Sequence, residues 1–429
     1  MIKLKNLLRE RLPQSVYTGI RKLGEFAERR GISAYLVGGS VRDLLLGLPP
    51  FDLDIVVEGD GIQFARDFGG HLKREILLSE MKTHSRFGTA TLILKDGRKL
   101  DIVTARKETY PSPGRLPLVQ PGTLLDDLYR RDFTINSIAL CIQGKRFGEI
   151  EDPYEGEKDL QRGLIRILHS QSFIDDPTRV FRAVRFETRF GFRIESQTLK
   201  KLKEAIQLGM VERLTPKRKR TEFILLFQEE NPSRALLRLN HLGVLRHLHP
   251  KLSFSKQSSR NFMRALEVLK NRKELQRGTP FLLFLLLLSQ KMDFEERLSL
   301  SHNLALTRKE KKQLLEWQLI QGRFKRVNLS KRKEVLLSLL YLSPEILLSL
   351  YFTEKEKERK NWIEKILRNP LLLQRGISGK DLKRIGIPEG PHYQVILKEV
   401  LLERLKGRLR TKSEEIAFVK RFWQRKTIH

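Results

Sequence analysis

The chain has 429 residues and a formal net charge of +32, from 83 Lys and Arg residues against 51 Asp and Glu residues. This length exceeds what one hydrophobic core usually supports, so we expect two to four domains. The positive excess predicts a polyanionic partner and favours nucleic acid over a membrane surface. The ion-pair networks of heat-adapted proteins do not explain it, because they need both signs in near balance. The single cysteine, Cys141, excludes a disulfide framework and indicates a reducing compartment.

Targeting and membrane-spanning segments are not evident in the sequence. The N-terminal residues are charged and lack the apolar stretch and cleavage site of a secretory signal. The most apolar run, Phe281–Leu288, is too short to span a bilayer and predicts a buried helix. We therefore expect a soluble, cytoplasmic protein with no membrane partner, and no protein partner is evident either.

The first 150 residues predict an α+β unit with a mixed sheet. Residues 1–30 have a helical pattern, and after them short β-rich runs alternate with turns. A loop over residues 110–122 is rich in Pro and Gly, which predicts an exposed and mobile segment. After residue 152 the pattern is that of an all-α, basic remainder. The predicted strands are Tyr35–Val37, Leu53–Val57, Thr89–Leu94 and Lys99–Thr104, with a helix over Gly61–Gly69.

Two carboxylates, Asp52 and Asp54, are separated by one residue on a predicted strand. Their side chains point to the same face, where they repel each other unless a cation neutralises them. Hard oxygen ligands on a strand suit Mg²⁺, which combines one or two carboxylates with substrate phosphates. Just before them, the turn Gly38-Gly39 leads into a helix N-terminus that can hold phosphates, and Arg42 can clamp a phosphate bidentately. This region predicts metal-assisted chemistry on a nucleoside triphosphate.

A third carboxylate, Asp101, lies in another strand-like run. If that strand neighbours the strand of Asp54, Asp101 completes an acidic cluster and can accept the proton of an attacking hydroxyl. A structural role at a strand edge is an equal alternative. Further along the chain, Arg131 offers a cationic fork and Asn136 can cap a turn or contact a sugar hydroxyl. The alternative for these two residues is a structural ion-pair network.

A stripe of arginines follows Asp176-Pro177 on a predicted helix. The spacing of Arg179, Arg182 and Arg185 places them along one side of that helix. Like charges on one stripe are costly without an anion, so a phosphate or a base edge is predicted beside them. An N-cap followed by solvent-facing arginines is the alternative, but it does not account for the unbroken stripe.

Together these motifs closely resemble the class II tRNA nucleotidyltransferase family, the CCA-adding enzymes and their bacterial poly(A) polymerase relatives. The matching stretches are LVGGSVRDLLLG with DLD, then RRDFTINSIA, and then GLIRILHSQSFIDDPTRVFRAVRFETRFGF. The resemblance is dense over residues 34–194 and thinner beyond. It implies a nucleotidyltransferase head related to DNA polymerase β over residues 1–150. An all-α neck (151–215), body (216–310) and tail (311–429) would follow.

The resemblance also implies roles for single residues. Mg²⁺ would bind at Asp52 and Asp54. Asp176 and Arg179 match the family's protein template, which reads the Watson–Crick edge of the incoming CTP or ATP. A carboxylate accepts from the exocyclic amine of cytosine or adenine, which G and U lack at that position. Residues that match nucleotide-binding or triphosphate-binding positions are Gly39, Arg42, Arg131, Arg182 and Arg185.

Three departures from the family pattern leave nucleotide choice open. Asp175 stands where Glu is usual, and Lys217 interrupts a later Glu-Arg motif at Thr215–Arg218. The segment Leu77–Phe87 does not match the flexible loop that governs A addition in the family. Full CCA addition, CC-only addition and A-only addition therefore stay alternatives.

The expected activity is template-independent, metal-dependent addition of C, A or both to the 3′ end of tRNA, with release of pyrophosphate. The basic helical half is expected to bind the acceptor stem and elbow of tRNA through backbone and shape. One alternative is poly(A) addition to mRNA ends. Another is an inactive RNA-binding protein on the same fold, although intact Asp52, Asp54 and Arg182 argue against it.

Overall fold

A computed structural model of the chain describes residues 4–48, 53–74, 78–85, 88–95, 97–275, 278–330, 335, 338–339, 342–369 and 376–427. The chain divides into two compact units, residues 1–247 and 248–429. The boundaries expected at residues 150, 215 and 310 stay predictions. Every helix among the described residues is too short or too polar to cross a membrane.

The first unit combines a sheet with helices on both sides of it. Its strands are β1 (Ala34–Val37), β2 (Leu53–Val57), β3 (Leu78–His84), β4 (Thr89–Leu94), β5 (Lys99–Thr104), β6 (Arg106–Thr109), β7 (Leu118–Pro121), β8 (Ala139–Cys141), β9 (Ile150–Glu151), β10 (Leu164–Ile165) and β11 (Arg193–Ile194). Its helices are α1 (Lys5–Arg11), α2 (Gln14–Arg29), α3 (Gly39–Leu46), α4 (Gly61–Arg74), α5 (Leu124–Tyr129), α6 (Gly156–Arg162), α7 (Ser172–Asp175), α8 (Thr178–Phe190), α9 (Ser196–Gln207), α10 (Met210–Arg213), α11 (Pro216–Phe227), α12 (Pro232–His241) and α13 (Val244–Leu248), which ends at the unit boundary.

Seven strands form one mixed sheet in the order β3-β4-β5-β2-β1-β8-β9. β2 and β5 pair in parallel, whereas the other neighbours are antiparallel. The predicted mixed sheet and the four predicted strands are confirmed. The strand Leu78–His84 was not predicted; it lies in the segment that matched no family pattern.

The interior strand β1 shows how the sheet separates two apolar layers. All four of its residues are buried. Ala34 and Leu36 join the large cluster formed with α1, α2 and α4, while Tyr35 and Val37 join a smaller cluster on the opposite face. Val56 of β2 belongs to the smaller cluster, so Asp54, two residues earlier, lies on that same face. The chemistry-bearing side chains therefore occupy the face with the smaller cluster.

The Pro-rich and Gly-rich loop is part of a hairpin. It connects β6 to β7, which pair antiparallel. The prediction of an exposed loop is only partly right, because Gly114 is buried and its N–H donates to the Asp175 carbonyl at 3.3 Å. The loop thus contacts the residues that precede α8.

The segment after residue 152 is helical, apart from the two-residue strands β10 and β11, which pair in parallel. α8 begins at Thr178, directly after Pro177, whose φ of −65° suits a helix start. The Asp176 carboxylate accepts from the Thr178 N–H at 3.0 Å beside this first turn. The helix ends at Gly191, whose φ of +68° is the left-handed conformation common after helices.

The second unit consists of helices in its described residues. They are α14 (Lys256–Asn271), α15 (Pro280–Leu288), α16 (Phe294–Asn303), α17 (Arg308–Arg326), α18 (Pro344–Thr353), α19 (Lys357–Arg368), α20 (Gly379–Arg384), α21 (His392–Leu405) and α22 (Lys412–Thr427). The apolar helix α15 is buried against α14, α17 and α18, as its composition predicts.

Candidate active site

An open pocket of about 520 Å³ lies in the first unit, on the sheet face that carries Asp54. Its lining is dominated by charge, with seven arginines and five carboxylates. These residues are Arg42, Arg106, Arg130, Arg131, Arg179, Arg182, Arg218, Asp54, Glu108, Asp132, Asp176 and Glu222. A cationic excess in a concave site is suited to a polyphosphate.

One end of the pocket is built around Asp54, and we call it the phosphate end. The Asp54 N–H donates to the Ser40 hydroxyl at 3.1 Å, which ties β2 to the first turn of α3. Gly38 precedes that turn with φ +69° and ψ −132°, a conformation that favours glycine. A Cβ atom on Gly38 would lie 2.5 Å from Arg131 Nη1 and 3.8 Å from Asp54 Oδ2. The absent side chain therefore lets the Arg131 guanidinium approach the helix start beside Asp54.

Asp101 lies beside Asp54, as the sequence analysis considered. Parallel pairing puts the two residues in register on β5 and β2, so their side chains share one face of the sheet. Asp101 Oδ1 also accepts a short hydrogen bond from the Thr91 hydroxyl, and Asp101 is not among the described residues that line the pocket. Asp52 lies outside the described residues, so its predicted place beside Asp54 stays a prediction.

A chain of hydrogen bonds runs from the helix start to the arginine stripe. Arg42 Nη1 donates to Asn136 Oδ1 at 2.6 Å, and Asn136 Nδ2 donates to Asp132 Oδ1 at 2.8 Å. Arg182 Nε donates to Asp132 Oδ2 at 2.7 Å. The Arg42 guanidinium lies over Phe186, with its carbon 5.2 Å from the ring centroid. Arg42, Asn136 and Arg182 are therefore held in one network, which includes Asp132, a residue that the sequence analysis did not single out.

The charge of Asp132 is stabilised by this network. Burial raises the pKa of its carboxyl, but the charge of Arg182 and hydrogen bonds from Asn136 and Arg182 outweigh it, so the pKa falls to about 2. The same ion pair raises the pKa of the Arg182 guanidinium. The repulsion expected among the arginines of the stripe is thus reduced in part by the Asp132 carboxylate of the protein itself.

Asp176 and Arg179 line another part of the pocket, which we call the base end. Asp176 Oδ1 accepts from Arg218 Nη2 at 2.6 Å and from the Thr178 hydroxyl at 2.6 Å. Arg179 is buried and donates to the Arg130 carbonyl at 2.7 Å and to the Ser172 hydroxyl. Arg218 Nη1 also donates to the Gly114 carbonyl of the hairpin loop at 2.8 Å. Both members of the predicted base-reading pair are held in fixed orientations.

Arg218 clarifies the motif that Lys217 interrupts. Thr215 caps α11 by accepting from the Arg218 N–H, and Lys217 is exposed. The arginine side chain, and not the lysine, reaches the pocket and pairs with Asp176. Spacing alone does not show this contact, because it joins segments 42 residues apart.

Arg185 does not line the pocket among the described residues. It is buried, its Nε lies 3.8 Å from a Glu229 oxygen, and that Nε has no hydrogen-bond partner among the residues that the structure describes. Burial and the nearby Arg182 lower the pKa of its guanidinium. The stripe predicted from spacing therefore divides, with Arg179 and Arg182 at the pocket and Arg185 behind it.

A second cluster, centred on Glu108, was missed in the sequence. Glu108 accepts from Arg106 Nη2 at 2.9 Å, from Arg130 Nη1 at 3.2 Å and from the Tyr110 hydroxyl at 3.0 Å. Arg130 and Arg131 also share the buried carboxylate of Asp127, at 2.6 and 2.8 Å. The available signal was the alternation Arg106-x-Glu108 on β6, continued by Tyr110 just after the strand, since alternate residues share one face of a strand.

The donor set fits a hard divalent cation at the phosphate end. Asp54 and Asp101 are in register on neighbouring strands, and Gly38 leaves room beside the Asp54 oxygen. Within the part of the chain that the structure describes, no group of three or more His, Cys, Asp or Glu residues forms a metal cluster. The predicted metal site of Asp52 and Asp54 thus depends on Asp52, which lies outside the described residues.

Comparisons with known proteins agree with this fold. Residues 34–166 match the Poly A polymerase head domain, and residues 191–255 match the probable RNA and SrmB-binding site of polymerase A. An A-adding tRNA nucleotidyltransferase of Halalkalibacterium halodurans is 35% identical over 95% of this chain and 92% of its own length. An A-adding enzyme of Geobacter sulfurreducens is 34% identical over 96% of this chain, which spans about half (47%) of that relative. A solved CCA-adding enzyme in an apo form is 33% identical, covers 97% of both chains and superposes with a TM-score of 0.76.

The mixed-sheet head, the charged pocket beside Asp54 and the helical remainder define a nucleotidyltransferase of the poly(A) polymerase head class. Similarity over nearly the whole length of a relative and of a solved structure identifies the family within this class. The chain belongs to the tRNA nucleotidyltransferase family and is an enzyme of that family. The sequence-based expectations of fold, family and enzyme class are confirmed.

Proposed function

We propose that the chain transfers AMP from ATP to the 3′ end of a tRNA that already ends in CC. The geometry supports nucleotidyl transfer through one observation: a single pocket joins Asp54 and a row of arginines to the Asp176–Arg179 pair. The full-length similarity to the A-adding enzyme of Halalkalibacterium halodurans favours A addition.

At the phosphate end, the triphosphate would bind to Arg42, Arg131 and Arg182, whose guanidinium groups suit bidentate phosphate contacts. Asp52 and Asp54 would hold Mg²⁺, which when bound lowers the pKa of the attacking hydroxyl and neutralises charge on the leaving group. The tRNA 3′ oxygen attacks the α-phosphorus, the bond between the α-phosphorus and the bridging oxygen breaks, and pyrophosphate leaves. Asp101, in register with Asp54, would accept the hydroxyl proton.

At the base end, Asp176 would accept a hydrogen bond from the exocyclic amine of adenine or cytosine. The donors that reach Asp176 use Oδ1, which leaves Oδ2 for the base. Arg179 would donate to a ring nitrogen or carbonyl on the same edge. Guanine and uracil present a carbonyl where the amine is needed, so this pair would reject them.

Full CCA addition is the second candidate, because the solved CCA-adding enzyme covers 97% of both chains. The comparisons do not favour poly(A) addition to mRNA or an inactive RNA-binding protein. The strongly basic chain would bind tRNA through its phosphates, and a cytoplasmic location stays a prediction.

The experiment supplies tRNAs that end before the first C, after CC and after CCA with CTP alone, ATP alone or both. We expect one added nucleotide, from ATP, only on the tRNA that ends in CC. Growth of the shortest tRNA by three nucleotides would establish full CCA addition instead. Long homopolymeric products would establish poly(A) synthesis, and no incorporation in any lane would contradict nucleotidyl transfer.

A further inference from the structure

Three neighbouring rings of the first unit lie outside the described lining of the pocket, and one of them directly precedes pocket residues in the chain. Tyr129 lies between the other two: its ring centroid is 6.0 Å from Tyr154, at an interplanar angle of 43°, and 5.2 Å from His169, at 31°. We call these three residues the ring ladder. They come from three segments, so the fold and not the local sequence brings them together.

The exposure of Tyr129 sets it apart from other aromatic residues. Among the phenylalanines and tyrosines that the structure describes between residues 4 and 247, only Tyr129 is exposed, with 47% of its surface accessible to solvent. Leu125, one helical turn earlier on α5, is also exposed, at 56%. An exposed aromatic ring is the kind of platform on which an unpaired base stacks.

The ring ladder is connected directly to the pocket. Tyr129 ends α5 and is followed by the pocket residues Arg130 and Arg131. The Arg130 carbonyl accepts from Arg179, a member of the base-reading pair. His169 Nδ1 lies 4.0 Å from the Asp175 carboxylate, immediately before Asp176. Along the chain, Tyr129 is therefore next to pocket residues, and its ring neighbour His169 lies near the residue that precedes Asp176.

We propose that the ring ladder stacks the unpaired bases at the 3′ end of tRNA and delivers the terminal hydroxyl to the pocket. This inference rests on the proposed function, because it assumes that the tRNA end enters this pocket. An unpaired RNA end offers flat bases, which stack on aromatic rings regardless of sequence, and phosphates, which the adjacent arginines attract. His169 adds a neutral ring near pH 7, since burial and Arg179 lower its pKa to about 4.

The test compares the wild type with Tyr129→Ala and Tyr129→Phe in ATP incorporation on two substrates. One is tRNA ending in CC, and the other is the same tRNA with an abasic 3′-terminal nucleotide that keeps the sugar and phosphate. We expect Tyr129→Ala to lower kcat/KM for the intact tRNA about tenfold, with KM for ATP unchanged. Tyr129→Phe keeps the ring and should retain at least half of the wild-type value.

The abasic substrate distinguishes stacking from a general defect. The wild type should lose about tenfold on it, and Tyr129→Ala should lose little more, because the base that stacks is already missing. Leu208→Ala removes another exposed apolar side chain of this unit and is the matched control, expected to equal wild type on both substrates. Wild-type kinetics in Tyr129→Ala, or the same loss on both substrates, would overturn the inference. Absence of incorporation by the wild type would instead refute the proposed function.

Discussion

The two ends of the pocket differ in how the chain builds them. At the phosphate end, Gly38, Gly39, Arg42 and Asp54 lie within 17 consecutive residues, and a strand, a turn and a helix start bring them together. The base end joins the hairpin loop at Gly114, the start of α8 at Asp176 and the first turn of α11 at Arg218. The core of the phosphate end is local geometry, to which Arg131 and Arg182 are added from distant segments, whereas the base end exists only once three distant segments meet.

This difference has a functional consequence. A phosphate is the same in every nucleotide, so a short rigid motif with fixed charges is sufficient to bind it. Base selection depends on the angle of one carboxylate, and that angle is set here by Arg218 and Thr178 from two elements. We expect damage at the phosphate end to abolish chemistry and damage at the base end to reduce selectivity.

The largest effect should come from Asp54→Ala. Loss of this carboxylate removes a metal ligand at the reacting phosphate, so the rate of incorporation should fall by on the order of 10³-fold or more. Binding of tRNA, measured by filter retention or gel shift, should persist. Asp67→Ala, on the outer side of α4, is the control and should incorporate normally. Near-normal incorporation by Asp54→Ala would refute the metal role.

Arg218→Gln tests the base end and has a matched control in its neighbour, Lys217→Gln. The first change removes the ion pair to Asp176, and the second changes an exposed side chain of the same helical turn. A charge-assisted hydrogen bond contributes about 1.5–3 kcal/mol, so kcat/KM for ATP should fall about 10- to 100-fold. Relative incorporation of GTP should rise in Arg218→Gln only. Equal behaviour of the two variants would mean that Asp176 needs no support from Arg218.

Asp132→Asn addresses the network that joins the two ends. Asp132 has a pKa of about 2, below the value of about 3.9 in an unfolded chain, so its charge stabilises the fold above pH 4. That contribution, about 2–3 kcal/mol, is lost as the pH falls from 4 to 2. The unfolding free energy of Asp132→Asn should therefore change less between pH 4 and pH 2 than that of the wild type.

A double-mutant cycle with Arg182→Gln identifies the source of this stability. If the Asp132–Arg182 ion pair carries it, the double variant should lose less unfolding free energy at pH 7 than the sum of the single variants. Strictly additive losses would show that the two residues act independently.

The local features of the phosphate end could be predicted from the sequence, whereas the long-range contacts of the pocket could not. The strands Leu53–Val57 and Lys99–Thr104 and the turn at Gly38 were predicted because period-two apolar patterns and glycine turns are short-range signals. The pairing of Asp54 with Asp101 was left undecided, since strand order depends on long-range packing. The contact of Arg218 with Asp176 and the Glu108 cluster were missed for the same reason. The hairpin β6–β7 was missed because its Pro and Gly content is typical of a loop.

The smallest effect, Gly38→Ala, separates local backbone strain from damage to the phosphate end. Gly31 offers the matched control, because its φ of +64° is also positive but a Cβ there would meet nothing within 4 Å. Gly31→Ala should lose about 1–2 kcal/mol of unfolding free energy from its positive φ, and Gly38→Ala should lose at least as much, because its ψ of −132° lies in a region that residues other than glycine rarely adopt. In Gly38→Ala alone, the new methyl group would lie 2.5 Å from Arg131 Nη1, so that guanidinium must move and KM for ATP should rise. An equal rise of KM for ATP in both variants would show that backbone strain alone weakens nucleotide binding. Gly38 would then not be needed for the approach of Arg131 to the helix start.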